Sequence, residues 1–123
     1  MSRKILITDD DELVVISLEE LLKTEGYEVS TANNGSAALK KIGQQDFDLI
    51  MLDVIMPGMS GFEVCAEIRK LPKHAETPIV MLTAKSAEAD RQAGMDAGAS
   101  RFLPKPIEPN RLLSTLADEL DKV

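Results

Sequence analysis

The sequence predicts an α/β fold, a doubly wound parallel sheet with helices on both of its faces. Short apolar runs rich in β-branched residues alternate along the chain with segments of helical periodicity, which is the pattern of a parallel sheet covered by helices. Strict alternation requires right-handed crossovers between the strands. The chain has 123 residues, too few for a closed eight-unit barrel, which needs about 250. We therefore predict an open sheet in a single domain, residues 1–123.

Three strands and two helices are predicted in the first half of the chain. Lys4–Thr8 is a short apolar run and predicts the first strand. Apolar residues then recur at three- and four-residue spacing over residues 14–22, which predicts an amphipathic helix. Tyr27–Ala32 predicts the second strand, and Asn34 is a typical N-cap for the second helix. Asp48–Asp53 predicts the third strand, which we place centrally because it is apolar at consecutive positions.

The second half of the chain alternates in the same way. Helical spacing from Phe62 up to Pro72 predicts the third helix, and Ile79–Thr83 predicts the fourth strand. A polar segment, Ser86–Asp96, predicts the fourth helix, and Arg101–Leu103 predicts a short fifth strand stopped by prolines. A fifth helix begins at Pro109 and carries leucines on one face, namely Leu112, Leu113, Leu116 and Leu120.

The composition excludes several classes of function. The 14 Lys and Arg against 21 Asp and Glu give a net charge of −7, which does not suit binding to nucleic acids or to anionic membranes. One Tyr and three Phe provide no stacking platform for single strands. No apolar run is long enough for a membrane span or a signal peptide, so we expect a cytoplasmic protein.

The cysteine and the histidine have ordinary structural explanations. A single cysteine, Cys65, excludes a disulfide framework and a thiolate metal site. Its position in the third helix predicts a packed, small hydrophobic side chain. His74 lies in a loop between Pro72 and Pro78, and we expect it to be exposed to solvent.

Polar and charged side chains stand at the ends of four of the five predicted strands. Asp9 and Asp10 follow the first strand, Asp53 ends the third, Thr83 ends the fourth, and Lys105 comes just after the fifth. Each residue taken singly has a structural explanation, such as a helix cap or an exposed lysine. Open α/β sheets bind ligands beyond the carboxyl ends of their strands, so the convergence of these residues predicts a functional site there.

Three carboxylates at one edge repel one another, by about 4 kcal/mol for a close pair in surroundings of intermediate polarity. Mg²⁺ prefers carboxylate, carbonyl and water oxygens, and we predict such a cation among them. Lys105 supplies a further positive charge. A cation, a lysine and a hydroxyl donor around a carboxylate are the groups needed to accept a phosphoryl group, because that reaction depends on positioning and charge neutralisation.

Four motifs resemble those of the receiver domain of bacterial two-component response regulators. They are ILITDDD at 5–11, DVIMPGMSG at 53–61, MLTA at 81–84 and FLPKP at 102–106. Their order and spacing extend the resemblance over essentially the whole chain. The resemblance implies a flavodoxin-like (βα)5 sandwich with the strand order 2-1-3-4-5.

The resemblance also implies the roles of the acidic residues. Asp53 is implied to be the phosphorylation site, which takes a phosphoryl group from the phosphohistidine of a sensor histidine kinase or a histidine phosphotransfer protein. Mg²⁺ is the implied cofactor. Its implied protein ligands are Asp10 directly, Asp9 through water, Asp53, and the backbone carbonyl of Ile55.

The remaining motif residues are implied to act on the phosphoryl group and to signal its presence. Lys105 would neutralise phosphoryl oxygens, and Thr83 would donate a hydrogen bond to one of them. Phe102 is the implied aromatic switch residue, which changes rotamer with Thr83 and alters the binding of an effector protein or domain. The Lys105–Pro106 peptide bond is expected to be cis. In this reading the chain is not an enzyme, since it catalyses only its own phosphoryl transfer and a slow autodephosphorylation.

The sequence leaves two alternatives to an active receiver open. One is a phosphohydrolase with an aspartate nucleophile. Such enzymes have a second Asp, the general acid, two residues after the nucleophile, whereas this chain has Ile55 there. The other is a degenerate receiver that only binds proteins, although all five site residues are present.

Receivers that drive DNA-binding domains often dimerise through charges on the face of the fourth helix, fifth strand and fifth helix. Arg91, Arg111 and Asp118 do not form that pattern, so dimerisation is not predicted.

Two positions predict the lifetime of a phosphorylated state. In receivers, the residues two positions after the phosphoacceptor and after the threonine flank the path of the attacking water. These are Ile55 and Lys85 here. Isoleucine has no group that orients water, and a charged lysine has only donors. We therefore expect slow hydrolysis.

Overall fold

The computed structural model describes residues 2–83 and 88–121 and contains five strands that alternate with five helices. The elements are β1 (Lys4–Thr8), α1 (Glu12–Thr24), β2 (Glu28–Ala32), α2 (Gly35–Gln44), β3 (Leu49–Asp53), α3 (Gly61–Arg69), β4 (Ile79–Thr83), α4 (Glu88–Ala97), β5 (Arg101–Pro104) and α5 (Pro109–Asp121), with a short 3₁₀ turn at Pro72–His74. The predicted alternation of strands and helices is confirmed.

All strand pairs are parallel, and the order across the sheet is β2-β1-β3-β4-β5. This is the flavodoxin-like order that the resemblance implies. The order reverses beside β1, because the chain adds β2 on one side of it and β3 on the other. A crevice at that point is where open sheets of this type bind ligands.

Helices cover both faces of the sheet because side chains alternate between the faces along each strand. On one face Leu6 and Ile50 belong to a buried cluster with residues of α2 and α3. On the other face Ile5 and Ile7 belong to a second cluster with the leucines of α1 and α5. The inner strands β3 and β4 are buried at every position, which explains their consecutive apolar residues.

Most predicted boundaries lie within a few residues of the observed ones. β2 begins at Glu28 rather than Tyr27, because the backbone N–H of Tyr27 donates to the carbonyl of Leu22 and closes the end of α1. α3 ends at Arg69, before the predicted limit at Pro72, where a new turn begins. The predicted start of the fourth helix at Ser86 lies outside the described residues.

The prediction that His74 is exposed is wrong. Its side chain is 1% exposed, and its Nδ1 lies 2.8 Å from the hydroxyl of Thr77. The guanidinium of Arg69 donates to the carbonyls of both residues and folds this loop back onto the protein. Burial is the main reason why the pKa of His74 lies below its usual value. Cys65 is fully buried, as predicted.

No helix in the described ranges has both the length and the apolar composition that crossing a bilayer requires.

Candidate functional site

The predicted site residues lie at the carboxyl edge of the sheet, where hydrogen bonds between neighbouring strands continue past the strand ends. The N–H of Asp9, just after β1, donates to the carbonyl of Ala32 at 3.1 Å. The N–H of Val54, just after β3, donates to Leu82, and the N–H of Lys105, just after β5, donates to Thr83 at 2.7 Å. The backbone therefore holds the segments that carry Asp9, Asp53 and Lys105 side by side.

Lys105 bridges two of the three carboxylates. Its Nζ lies 2.7 Å from Oδ2 of Asp9 and 3.3 Å from Oδ1 of Asp53. Asp9 is fully buried, and its other oxygen accepts a hydrogen bond from the N–H of Asp11 at 3.0 Å. Asp53 is 6% exposed. The Lys105 ammonium therefore pairs with two buried carboxylates at once.

Asp10 completes an acidic cluster that is large enough for a cation. One oxygen from each of Asp9, Asp10 and Asp53 lies within 4.8 Å of the others. Asp10 is exposed, so the cluster is open to solvent on its side. Lys105 carries one positive charge against three carboxylates, which leaves negative charge uncompensated within this cluster.

The charge imbalance changes the acidity of Asp53. Burial, followed by the negative charge of Asp9, raises the pKa of Asp53 from 3.8 to about 6, although Lys105 acts in the opposite direction. Burial works against the charge of Lys105, but its hydrogen bond to Asp9 and the charges of both aspartates outweigh burial and hold the pKa of Lys105 above its usual value. A further cation beside Asp53 would favour its ionised form.

The start of α3 packs directly against the backbone of Asp53. The N–H of Gly61 donates to the carbonyl of Val54 at 2.8 Å. A Cβ at position 61 would overlap the carbonyl oxygen of Asp53 and lie 2.9 Å from Cε of Met81. Only glycine allows this approach, so Gly61 determines where the loop between β3 and α3 turns.

The loop between β3 and α3 carries Ile55, the predicted carbonyl ligand. Its side chain is 70% exposed. The role of its carbonyl stays a prediction. Lys85, the second residue of the predicted lifetime pair, lies outside the described residues.

The predicted switch residues lie on the last two strands of the sheet. Thr83 ends β4 and is 4% exposed. Phe102 lies on the edge strand β5 opposite Met81, and its partly buried ring packs against the cluster that contains α3 residues. The guanidinium of Arg91 lies over this ring, 5.9 Å from its centre. The peptide bond between Lys105 and Pro106 is cis, as expected.

Two residues of the site were missed by the sequence analysis. Asp11 caps α1, since its side chain accepts from the N–H groups of Leu13 and Val14, and its own N–H holds Asp9. An Asp just before an apolar periodic segment is a helix-start signal that would have found it. Gly61 marks a loop in the sequence, but its close approach to Asp53 has no local signal, because the atom that a side chain at this position would strike belongs to β3.

The chain matches a known family over most of its length. The family model of the response regulator receiver domain matches residues 5–117. A protein described as a response regulator of Chloroflexus aurantiacus is 37% identical, with a TM-score of 0.94 over 98% of this chain and 99% of that one. The chemotaxis protein CheY4 of Vibrio cholerae is 38% identical, with a TM-score of 0.94 over 97% of this chain and 99% of that one.

One further solved structure is described with a metal. The receiver domain of a sensor histidine kinase of Pseudomonas aeruginosa is 27% identical, with a TM-score of 0.91 over 98% of this chain and 99% of that one. Its structure holds a magnesium ion coordinated in the active-site cleft. The family match, the strand order and the acidic cluster at the carboxyl edge of the sheet agree, and the chain belongs to the family of response regulator receiver domains of two-component systems.

Proposed function

We propose that this receiver accepts a phosphoryl group on Asp53 from the phosphohistidine of a sensor histidine kinase or a histidine phosphotransfer protein. The observation that carries the proposal is the bridge from Lys105 to Asp9 and Asp53 within a cluster of three carboxylates. An ammonium at this place neutralises charge that arrives with a phosphoryl group.

Asp53 suits the phosphoacceptor role better than its two neighbours. Asp9 is fully buried, and both of its oxygens already have partners, the Lys105 ammonium and the N–H of Asp11. Asp10 is exposed, and no ion pair with Lys105 is found among the described residues. Asp53 meets the ammonium less closely than Asp9 does, at 3.3 Å, and keeps some exposure to a donor.

The transfer exchanges one bond to phosphorus for another. A carboxylate oxygen of Asp53 attacks the phosphorus in line with the bond to the histidine nitrogen. As the new P–O bond forms, the P–N bond breaks, and its electron pair returns to the imidazole. Asp53 must be ionised to attack, so its raised pKa slows the reaction at acidic pH unless another cation is present.

The donor set fits Mg²⁺. Three carboxylates with oxygens within 4.8 Å of one another form a hard, oxygen-only site. The buried Oδ2 of Asp9 forms an ion pair with the Lys105 ammonium and has no hydrogen-bond partner among the described residues. Asp9, Asp10 and Asp53 would hold the ion together with the carbonyl of Ile55. When bound, Mg²⁺ supplies positive charge to the phosphoryl oxygens.

The other site residues stabilise the phosphoryl group and transmit its arrival. Lys105 pairs with one phosphoryl oxygen, and the hydroxyl of Thr83 donates to another. Movement of Thr83 toward the phosphoryl group makes room for Phe102, and the changed face of α4, β5 and α5 binds an effector protein or domain. The chain acts as a signalling protein, and its only chemistry is its own phosphorylation and slow autodephosphorylation. It does not hydrolyse other phosphoesters, because Ile55 stands where a phosphohydrolase of this kind has its general acid.

The test is a mass measurement on the intact protein after incubation with acetyl phosphate and Mg²⁺. We expect the mass of one added phosphoryl group in the native chain and none in Asp53→Asn or in the presence of EDTA. Asp121→Asn, which removes an exposed carboxylate at the end of α5, is the matched control and should be modified like the native chain. Modification that persists in Asp53→Asn would overturn the assignment.

A further inference from the structure

Gly94 is a buried glycine inside α4 that lies under the ring of Phe102. An ideal Cβ at position 94 would overlap Cζ of the Phe102 ring and lie 2.5 Å from its Cε1. It would also lie 3.4 Å from Cε1 of Phe62. These two aromatic rings, from α3 and β5, therefore meet over the same bare stretch of helix backbone.

A glycine at this place is unfavourable for the helix itself. Glycine in a helix interior destabilises the helix relative to alanine, because the unfolded chain loses more conformational freedom. The backbone of Gly94 does not need this freedom, since its φ is not positive. The reason for glycine is therefore the space that the Phe102 ring occupies.

Two residues of α4 lie against the ring of Phe102. Gly94 lies beneath it, and the guanidinium of Arg91, one turn earlier on α4, lies 5.9 Å from its centre. Arginine over an aromatic ring adds a modest cation–π attraction. Both contacts come from α4, so the position of the ring and the position of this helix depend on each other.

We propose that Gly94 is a positioning residue for Phe102: the missing side chain lets the ring close onto α4, and a methyl group there displaces the ring without phosphorylation. The inference rests on the proposed function in one respect. Phosphorylation of Asp53 is proposed to move the Phe102 ring off α4, into the space that Thr83 vacates. A ligand that favours one of two states is bound more tightly when that state is already populated. Gly94→Ala should therefore raise the affinity of Asp53 for a phosphoryl analogue.

The first measurement follows the NMR signals of the Phe102 ring, in EDTA and without any phosphoryl donor. The chain has three phenylalanines, so aromatic carbon-13 spectra of phenylalanine-labelled protein are simple, and Phe102→Leu identifies the Phe102 signals. We expect Gly94→Ala to shift these signals toward the positions that the native chain shows with Mg²⁺ and beryllofluoride. Unshifted Phe102 signals would overturn the proposal.

Gly43→Ala is the matched control. Gly43 lies exposed in α2, and a Cβ there would meet no atom within 4 Å. This variant should raise Tm by about 2–4 °C through helix propensity alone and leave the Phe102 signals unchanged. Gly94→Ala should show no such gain. Equal gains in the two variants would contradict a collision at position 94.

A double variant separates the collision from general damage to α4. In a Phe102→Ala background the ring is absent, so adding Gly94→Ala should raise Tm by about as much as Gly43→Ala does in the native background. A loss of Tm in this background would place the damage elsewhere in α4 and overturn the role of Phe102.

Titration with beryllofluoride in Mg²⁺ tests the coupling. We expect Gly94→Ala to bind about five-fold tighter or more than the native chain, and Gly43→Ala to bind like it. Equal affinities would overturn the coupling. If the native chain binds no beryllofluoride and takes no phosphoryl group, the proposed function fails, whereas the Phe102 signals in EDTA still decide the role of Gly94.

Discussion

Ionisation of Asp53 destabilises the fold. Its raised pKa of about 6, against 3.8 for an ordinary Asp, means that burial and Asp9 oppose its charge more than Lys105 supports it. Between these two pH values the folded protein binds more protons than the unfolded chain. The charged form of Asp53, which the proposed phosphoryl transfer requires, is therefore maintained at the expense of stability.

The pH dependence of unfolding should show this expense. Because the folded pKa is the higher one, the contribution of Asp53 to stability is fully present below pH 4 and is lost as the pH rises through 6. In EDTA, we expect Asp53→Asn to gain on the order of 3 kcal/mol over the native chain between pH 4 and pH 7. Urea unfolding at several pH values measures the difference. Parallel pH profiles for the two proteins would contradict the raised pKa.

Asp10 should oppose folding without metal and support it with metal. Asp10→Asn removes one of three mutually repelling carboxylates, so we expect its Tm in EDTA to rise by about 2–5 °C. The same change removes a proposed ligand and should reduce the rise in Tm that Mg²⁺ causes in the native chain. Thermal unfolding with EDTA and with Mg²⁺ tests both effects, and Asp121→Asn is the control. A native Tm that does not respond to Mg²⁺ would argue against the metal site.

Ile55 should prolong the phosphorylated state. Its exposed side chain has no group that orients water, whereas an amide has both a donor and an acceptor. We expect Ile55→Asn to lose its phosphoryl group about ten-fold faster than the native chain. The decay is followed by intact mass after removal of the donor, and Ile55→Val, which stays apolar, should decay at nearly the native rate. Equal decay in all three proteins would remove this role of Ile55.

At the scale of elements, the start of α3 joins helix stability to the site. Ser60 and Glu63 form a reciprocal capping box, in which each side chain accepts from the other residue's backbone N–H at 3.2 Å. Gly61, which follows Ser60, packs against the carbonyl of Asp53. Fraying of this end of the helix would therefore also loosen the loop that carries Ile55.

Removing the cap should weaken both properties. We expect Ser60→Ala to lower the free energy of unfolding by about 1 kcal/mol and to slow phosphorylation by acetyl phosphate. Ser114→Ala, on the exposed side of α5, is the matched control, because it removes a hydroxyl without removing a cap. Urea unfolding and the rate of mass increase are the measurements. A stability loss in Ser60→Ala with a native phosphorylation rate would separate the helix cap from the site.

At the scale of the whole molecule, the functional site is connected to the face of α4 and β5 at the point where β4 and β5 end. The carbonyl of Thr83 accepts from the N–H of Lys105, and Phe102 lies on the same strand as the segment that leads to Lys105. We therefore expect a change at Thr83 to alter β5 through this backbone contact.

Hydrogen exchange should reveal this coupling. On addition of Mg²⁺ and beryllofluoride, we expect the exchange rates of the described parts of α4 and β5 to change, in addition to those of residues near Asp53. β2, the outer strand on the opposite side of the sheet from β5, should change little. Asp53→Asn under the same conditions is the control and should show no change. Changes confined to the immediate surroundings of Asp53 would refute the coupling.

The local pattern of the chain is sufficient to predict the order of elements, the central place of β3 and the end of the sheet at which the site lies. Apolar periodicity is a local property that the chain shows without folding, and parallel strands bring their carboxyl ends to one edge whatever the details of packing. The closer pairing of Lys105 with Asp9 than with Asp53, the burial of His74 and the contact of Phe102 with Gly94 were decided only by the tertiary structure. Each depends on distances between side chains from different elements, and no residue's own neighbours in the sequence encode such a distance.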